Sequence, residues 1–278
     1  MPGDTDAMTT SPETISLLGV PLDANSSFLF GSAEGPAAIR AALHSPSGNA
    51  SSESSRDVVV HLDDVGDVTV ENVAGSHADA DAITTAVGNE LARGRRVITL
   101  GGDHSITYPV LRAFRDHHPD LTVVHVDAHP DMYDDFDDNP LSHASPFARA
   151  LEDGCMTRLV QLGIRTATPH SHDQAARWDV QMISARELGR FDASGLTGPI
   201  YLSVDLDGLD PSVAPGVSHH EPGGLTVREL LDIVHSLPGP IVGADVVELN
   251  PTRDLHDMTA TVAAKTVKEI ADAMLAHV

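Results

Sequence analysis

Short apolar runs of four to seven residues alternate with amphipathic segments along most of the chain. The short runs are rich in valine, isoleucine and leucine, as the buried strands of a parallel sheet are. The other segments repeat apolar residues at helical spacing, and some begin near proline or end near glycine. We predict strands over 15–20, 58–62, 97–100, 121–126, 158–164, 180–183, 199–204 and 241–246. We predict helices over 35–43, 78–92, 106–114, 146–151, 170–178, 185–191, 227–237 and 259–276.

This alternation predicts an α/β fold. About eight strands with intervening helices favour a parallel sheet covered by helices on both faces. Ligands bind such sheets at the carboxyl ends of the strands. The 278 residues fit one large domain, and neither an internal repeat nor a linker divides them. We therefore predict a disordered N-terminal tail over 1–13 and a single domain over 14–278.

The charge is strongly unbalanced, with 41 acidic residues against 17 basic ones. A surface this negative repels nucleic acid and anionic membranes, and it favours cationic ligands. It is also the composition that a cytoplasm with molar salt selects, because screening removes self-repulsion; we hypothesise a salt-loving source. The only cysteine is Cys155, and no apolar run approaches the roughly 20 residues of a membrane span. We expect a cytoplasmic protein without membrane or nucleic-acid partners.

Three predicted strands are each followed by side chains that bind metals. After the run 121–126 these side chains occupy alternate positions, so they project to the same side of an extended segment. The same spacing recurs after 199–204. The six candidate ligands are His104, Asp127, His129, Asp131, Asp205 and Asp207. Because all three clusters fall at strand ends, we predict that they hold two divalent cations together.

The ligand types indicate the metal and its chemistry. Two imidazoles and four carboxylates suit Mn²⁺ in near-octahedral coordination better than structural zinc. Asp127 and Asp205 lead their clusters and are the natural bridging carboxylates. Two bridged metals roughly 3.5–4 Å apart can share one water and lower its pKa towards 7. Four aspartates and one hydroxide outweigh two divalent cations by about one charge, so the site favours a cationic substrate.

Several neighbouring residues have a structural interpretation instead. The acidic residues within 134–138 belong to a solvated loop in a chain this rich in aspartate. The histidine pairs at 117–118 and 219–220 look as ligand-like as the six, but the first pair ends a helix, where histidine complements the dipole. We interpret Asp103 as a turn residue or as a support for the ligands, and Asp210 as a turn residue that orients its loop.

Three motifs resemble the signatures of a known family. They are Gly101-Gly-Asp-His-Ser105, Asp127-Ala-His-Pro-Asp131 and Ser203-Val-Asp-Leu-Asp-Gly-Leu-Asp-Pro211. Together they are similar to the motifs of the ureohydrolases, the arginase and agmatinase family, and the resemblance extends from about Leu18 to Ala276. It is strongest to the agmatinase-like branch that includes plant-type arginases.

The resemblance implies a three-layer α/β fold, two Mn²⁺ per subunit and hydrolysis of a guanidino group to urea and an amine. It assigns one metal to His104, Asp127, Asp131 and Asp205, and the other to Asp127, His129, Asp205 and Asp207. It also implies a homo-oligomer, either a trimer or a hexamer.

Two residues receive catalytic roles from the same resemblance, and a third receives one from the reaction that it implies. His143 matches the family's active-site histidine, a proton shuttle or substrate contact, and Glu248 matches its guanidinium-binding glutamate. Asp207 is placed to pass a proton from the nucleophile towards the departing amine. The substrate is expected to be a small guanidino cation.

The sequence leaves the substrate open. The strand end Gly163-Ile-Arg165 lacks the following acidic residue that holds the amino-acid head in the arginase branch. The nearest bases, Arg149 and Arg165, are not obviously aimed at a pocket. These departures favour agmatine as the substrate, while the plant-type resemblance favours L-arginine. 4-Guanidinobutyrate or another guanidine ranks behind both. We predict agmatine, with arginine as the alternative.

Two other protein classes are compatible with part of the pattern. A zinc-dependent deacetylase of the same fold would hold one metal and would not need both His104 and His129 as ligands. A catalytically silent subunit would usually have lost ligands, and all six are present. Both alternatives fit the motifs less well than a hydrolase with two metals.

Overall fold

All eight strands of the structure, a computed structural model that describes residues 14–276, run parallel in one sheet. The spatial order is β2-β1-β3-β8-β7-β4-β5-β6. The strands are β1 (Ile15–Val20), β2 (Leu62–Asp67), β3 (Arg96–Gly101), β4 (Thr122–Val126), β5 (Arg158–Ile164), β6 (Gln181–Ser184), β7 (Ile200–Asp205) and β8 (Ile241–Val247). The predicted tail over 1–13 lies outside the described residues.

Helices cover both faces of this sheet, which confirms the predicted three-layer α/β fold. They are α1 (Gly35–Leu43), α2 (His77–Ala92), α3 (Thr107–Arg115), α4 (Pro146–Glu152), α5 (Pro169–Trp178), α6 (Val227–Ser236) and α7 (Met258–Ala276). The predicted helix over 185–191 is a 3-10 helix, Ala185–Arg190. Between residues 14 and 276 no helix is long and apolar enough to cross a bilayer.

Alternate residues of the inner strands supply two separate apolar cores. On β3, Val97 joins the core beneath α2, α3 and α4, while its neighbour Ile98 joins the core beneath α1, α6 and α7. On β4, Val123 and Val124 divide in the same way. Both faces are therefore buried, and this is why these strands appear as continuous apolar runs in the sequence.

The second strand is the one strand that we placed wrongly. The apolar run predicted as a strand over 58–62 instead forms a 3-10 helix, Val59–His61, and the strand β2 begins at Leu62. This strand lies at the edge of the sheet and pairs only with β1, so it exposes polar residues rather than an apolar run. Exposed Asp63 and Asp64, together with a bulge opposite Leu17, make this edge a poor template for further strands.

The strand order brings the motif-bearing strands together. The strands β3, β8, β7 and β4 are consecutive neighbours at the centre of the sheet. Because they run parallel, their carboxyl ends lie on the same side of the sheet. Their loops approach closely because glycines stand at the contacts: a Cβ on Gly102 would lie 1.9 Å from the carbonyl oxygen of Leu22, and one on Gly208 would lie 2.9 Å from the amide nitrogen of Asp127. These short distances allow the ligand-bearing loops to converge.

Candidate metal and active site

One ligand group surrounds the His104 ring. Its Nδ1 atom lies 3.2 Å from Asp127 Oδ2, 3.0 Å from Asp131 Oδ2 and 3.1 Å from Asp205 Oδ2. The four side chains come from the ends of β3, β4 and β7, and all four residues are buried. One atom from each lies within 4.8 Å of all the others, a spacing at which a single cation could contact them together.

The hydrogen bonds of His104 show which nitrogen can bind a cation. Ser203 Oγ donates to Asp245 Oδ1 at 2.7 Å, so at 3.0 Å it must accept from His104 Nε2–H. The neutral ring then has its lone pair on Nδ1, which is fully buried and has no hydrogen-bond donor within the described residues. This lone pair faces three carboxylate oxygens. The lone pair and the oxygens repel one another unless a cation lies between them. The residues present therefore fit a metal.

A second group shares one member with the first. His129 Nδ1 lies 3.1 Å from Asp207 Oδ2 and 3.4 Å from Asp127 Oδ1. Asp127 thus presents Oδ2 to the first group and Oδ1 to the second, as expected for a bridging carboxylate. Asp205 belongs only to the first group, because its Oδ1 accepts the amide N–H of Asp207 at 2.8 Å. The predicted bridging arrangement is therefore present geometrically at Asp127 and incomplete at Asp205.

The pKa values show that the cluster favours positive charge. Burial lowers the pKa of His104, but bonds to Asp127, Asp131 and Asp205 outweigh it and raise that pKa well above its ordinary value. Burial, followed by repulsion from Asp207 and Asp127, raises the pKa of the Asp205 carboxyl well above its ordinary value. Burial also raises the pKa of Asp207 to about 6. Buried carboxylates this close together require protons or metal cations among them.

The two remaining predicted residues lie beside the cluster and contact each other. His143 Nδ1 lies 2.9 Å from Glu248 Oε1, and the same oxygen accepts the amide N–H of His104 at 2.9 Å. Glu248 and Asp131 both have positive backbone φ, 66° and 49° respectively. This conformation is uncommon for residues other than glycine and recurs at functional sites, where surrounding contacts maintain it.

A cavity of about 200 Å³ opens onto the metal-ligand groups. Carboxylates and imidazoles form its inner end, while hydroxyls and two aromatic rings form much of the rest. The lining residues are Ser27, His129, Pro130, Asp131, Tyr133, Phe136, His143, Ala144, Thr166, Ser171, Asp205, Asp207, His219 and Glu248. All eight predicted site residues thus lie in or directly beneath one cavity.

Sequence reasoning missed two histidines of this site. His125 Nε2 lies 2.8 Å from Asp127 Oδ2, and the Gln161 amide nitrogen lies 3.1 Å from the other ring nitrogen of His125. The signal was present, because His125 extends the alternate spacing of the Asp127 motif backwards into the strand. His219 lines the cavity, with its ring centroid 5.2 Å from that of His143. It belongs to one of the two histidine pairs noted in the sequence.

Three residues for which we predicted structural roles, His118, Asp103 and Asp210, make contacts of that kind. His118 stacks on Phe114 at the end of α3. Asp103 accepts the amide N–H groups of Asn25 and Ser105. Asp210 orients its loop by accepting the amide N–H groups of residues 212, 223 and 224.

The two bases nearest the motifs are both occupied by protein groups. The Arg165 guanidinium donates to the backbone carbonyl oxygens of Gly163, Asp207, Gly208, Leu209 and Glu221. Arg165 therefore ties the Asp207 loop to its neighbours and does not line the cavity. Arg149 forms an ion pair with Glu152 at 2.9 Å.

Known proteins are similar to this chain in sequence and in fold. The chain is 44% identical to a mitochondrial arginase of Medicago truncatula over 94% of this chain and 82% of the relative. It is 35% identical to a mitochondrial agmatinase of Gallus gallus over 91% and 78% of the two chains. The solved arginase from Medicago truncatula superimposes with a TM-score of 0.87, covering 94% of this chain and 87% of that one. The profile of the arginase family matches residues 13–272, so the chain belongs to that family, the ureohydrolases.

Proposed function

We propose that the chain is a manganese-dependent ureohydrolase that cleaves L-arginine to ornithine and urea. The observation that carries this proposal is the 44% identity to a plant arginase over nearly the whole chain, against 35% to an agmatinase. This similarity favours arginine as the substrate, whereas the sequence motifs alone favoured agmatine. The buried cluster of histidines and aspartates supports the hydrolytic reaction for either substrate.

Six side chains would hold two Mn²⁺ ions. His104, Asp127, Asp131 and Asp205 would hold one, and Asp127, His129 and Asp207 would hold the other, with Asp127 shared. This donor set of oxygens and imidazoles suits Mn²⁺. When bound, the two ions would supply Lewis acidity and an activated water nucleophile at neutral pH.

Glu248 would bind and orient the substrate guanidinium. One of its oxygens, Oε1, already accepts the His104 amide N–H and pairs with His143 Nδ1. The other oxygen, Oε2, has no protein donor within the described residues and remains for the guanidinium N–H groups. Bonds between a carboxylate and a guanidinium are charge-assisted, so they stabilise the cation and set its orientation.

Asp207 would transfer the proton of the nucleophile. In the metal-free protein, burial raises the pKa of its carboxyl to about 6. Its Oδ1 accepts the amide N–H of Ala128 at 3.2 Å, so the carboxylate is held beside the Asp127 motif and faces the cavity. A group in this position can accept a proton and release it to the departing amine.

Agmatine is the second candidate, and the cavity lining is the observation that favours it. No lysine or arginine of residues 14–276 lines the cavity, so an α-carboxylate would have to be received by hydroxyls such as those of Thr166 and Ser171. Burying a carboxylate without partners costs several kcal/mol, roughly enough for a hundredfold preference for agmatine. Adequate hydroxyl and amide donors would remove this penalty.

Urea release from L-arginine, agmatine and 4-guanidinobutyrate, each with Mn²⁺ supplied, tests the proposal. We expect the largest kcat/KM for L-arginine. A larger value for agmatine would transfer the assignment to agmatinase, and no urea from any guanidine would overturn the hydrolase. Glu248→Gln should lose most activity on every substrate. Metal analysis separates the alternatives, because a deacetylase would contain one zinc per chain and a silent subunit none.

A further inference from the structure

Protein groups engage both ring nitrogens of His143. Nδ1 lies 2.9 Å from Glu248 Oε1, and Nε2 lies 2.9 Å from Ser27 Oγ. The side chain of His143 is only 11% exposed. A proton shuttle needs one nitrogen that exchanges protons with the substrate, and neither nitrogen is free for direct exchange. His143 must therefore act through one of its partners if it acts as a shuttle.

The Ser27 backbone determines the tautomer of the neutral ring. Its amide N–H is directed at His143 Nε2 at 3.2 Å, so Nε2 presents a lone pair and the ring proton lies on Nδ1. That proton is donated to Glu248 Oε1. The Ser27 hydroxyl, on the same residue and at hydrogen-bond distance from the same nitrogen, lines the cavity next to the His143 ring.

We propose that Ser27 is a further catalytic residue, whose hydroxyl relays a proton between His143 and the departing amine. The proposal rests on the ureohydrolase function above. Ser27 is exposed, and it lies beside Phe28, whose ring contacts the His219 ring at 5.6 Å between centroids. Both residues line the cavity, but Ser27 is exposed whereas the imidazole is largely buried, so the hydroxyl is the more accessible of the two to a substrate.

The transfer balances in protons. In the imidazolium form of His143, Nε2–H donates to Ser27 Oγ and Nδ1–H remains bonded to Glu248. Asp207 supplies the proton that lets the nitrogen leave as a neutral amine when the C–N bond breaks. The amine nitrogen then takes a second proton, from Oγ, while Oγ takes the proton from Nε2, so the product leaves as an ammonium ion. One proton passes from His143 to the amine, Ser27 ends as a hydroxyl, and His143 returns to the neutral tautomer with Nδ1–H.

The surroundings of His143 stabilise its charged form. Glu248 is hydrogen-bonded to it, and the carboxyls of Asp103 and Asp131 act on it from the ends of β3 and β4. His219 is the titratable group on the remaining side. In the metal-free protein, burial lowers the pKa of His143, but these carboxyls outweigh it and raise that pKa to about 9, which favours the imidazolium that the relay requires.

Replacement of the hydroxyl alone tests the relay. Ser27→Ala retains the amide that fixes the tautomer and removes the hydroxyl, whereas Ser27→Thr retains both. We expect Ser27→Ala to lower kcat on the preferred guanidine about 100-fold with little change in KM, and Ser27→Thr to restore most of it. Ser26→Ala is the matched control, since the neighbouring hydroxyl contacts Asp103 at 3.4 Å and not His143. It should retain full activity.

The basicity of the leaving group separates a relay from a structural role. An oxyguanidine, with oxygen in place of the methylene next to the guanidino group, releases a weakly basic aminooxy group that needs less protonation. Ser27→Ala should therefore impair its hydrolysis only a few-fold. An equal loss on both substrates, a change confined to KM, or a Ser27→Ala kcat like that of the wild type would each overturn the relay. Absence of urea release by the wild type would instead overturn the proposed function and the relay with it.

Discussion

Ser203 should control the affinity of one metal position without touching a metal. Its hydroxyl accepts from His104 Nε2 at 3.0 Å and donates to Asp245 Oδ1 at 2.7 Å. Asp245 is in turn held by the hydroxyls of Tyr201 and Thr107, at 2.7 and 2.9 Å. This chain of bonds keeps the ring proton on Nε2 and the lone pair on Nδ1, which is the form that binds a cation. Ser203→Ala breaks the chain at its first bond.

The expected loss follows from this geometry. Removing such a support for a metal-bound histidine lowers metal affinity about 10- to 100-fold, which corresponds to about 1.4 to 2.7 kcal/mol. The loss should fall on the position formed by His104, Asp127, Asp131 and Asp205, and the His129 position should change less than about threefold. The buried Nε2–H also loses its acceptor, so the metal-free protein should be less stable by about 1–3 kcal/mol.

The assay is a Mn²⁺ titration of the metal-free protein by calorimetry, with unfolding in denaturant measured separately. Thr99→Val is the matched control, because the hydroxyl of Thr99 is buried on β3 and has no hydrogen-bond partner within the described residues. It should leave both metal positions unchanged. Two unchanged affinities in Ser203→Ala, or a loss confined to the His129 position, would refute the reasoning.

Four further predictions concern metal content, thiol reactivity, assembly and the effect of salt on stability. By metal analysis, Asp127→Ala should reduce the content of both metals, whereas His129→Ala should chiefly reduce the content of one. Two metals retained in Asp127→Ala would exclude Asp127 as a shared ligand. Burial raises the pKa of the Cys155 thiol to about 11, so at pH 8 the native protein should resist a thiol reagent that labels the unfolded chain at once, and rapid native labelling would contradict this. Light scattering after size exclusion, at high and low salt, should show a trimer or hexamer, and a monomer in both conditions would contradict this. Unfolding should require more denaturant in high salt, because screening relieves the repulsion within a net charge of −24. A stability indifferent to salt would contradict this second expectation.

The local features of the fold and site could be predicted from the sequence. Strands buried on both faces need continuous apolar runs, so seven of the eight strands were placed near their observed positions. The Asp127 motif also identified itself, because residues two apart in an extended segment project together whatever the rest of the chain does. Ligand type then indicated the class of metal without any knowledge of neighbours.

The remaining features depend on which distant segments become neighbours, and only the tertiary structure decided them. The position of β2 at an edge permits a polar strand, which apolar patterning cannot reveal. The sheet order places β8 between β3 and β7, and this brings Glu248 to the His104 loop. Ser27 reaches His143 across 116 residues of sequence, and no local period encodes that contact. Spacing along the chain specifies which side chains share a face, whereas strand order and loop convergence decide which of them meet.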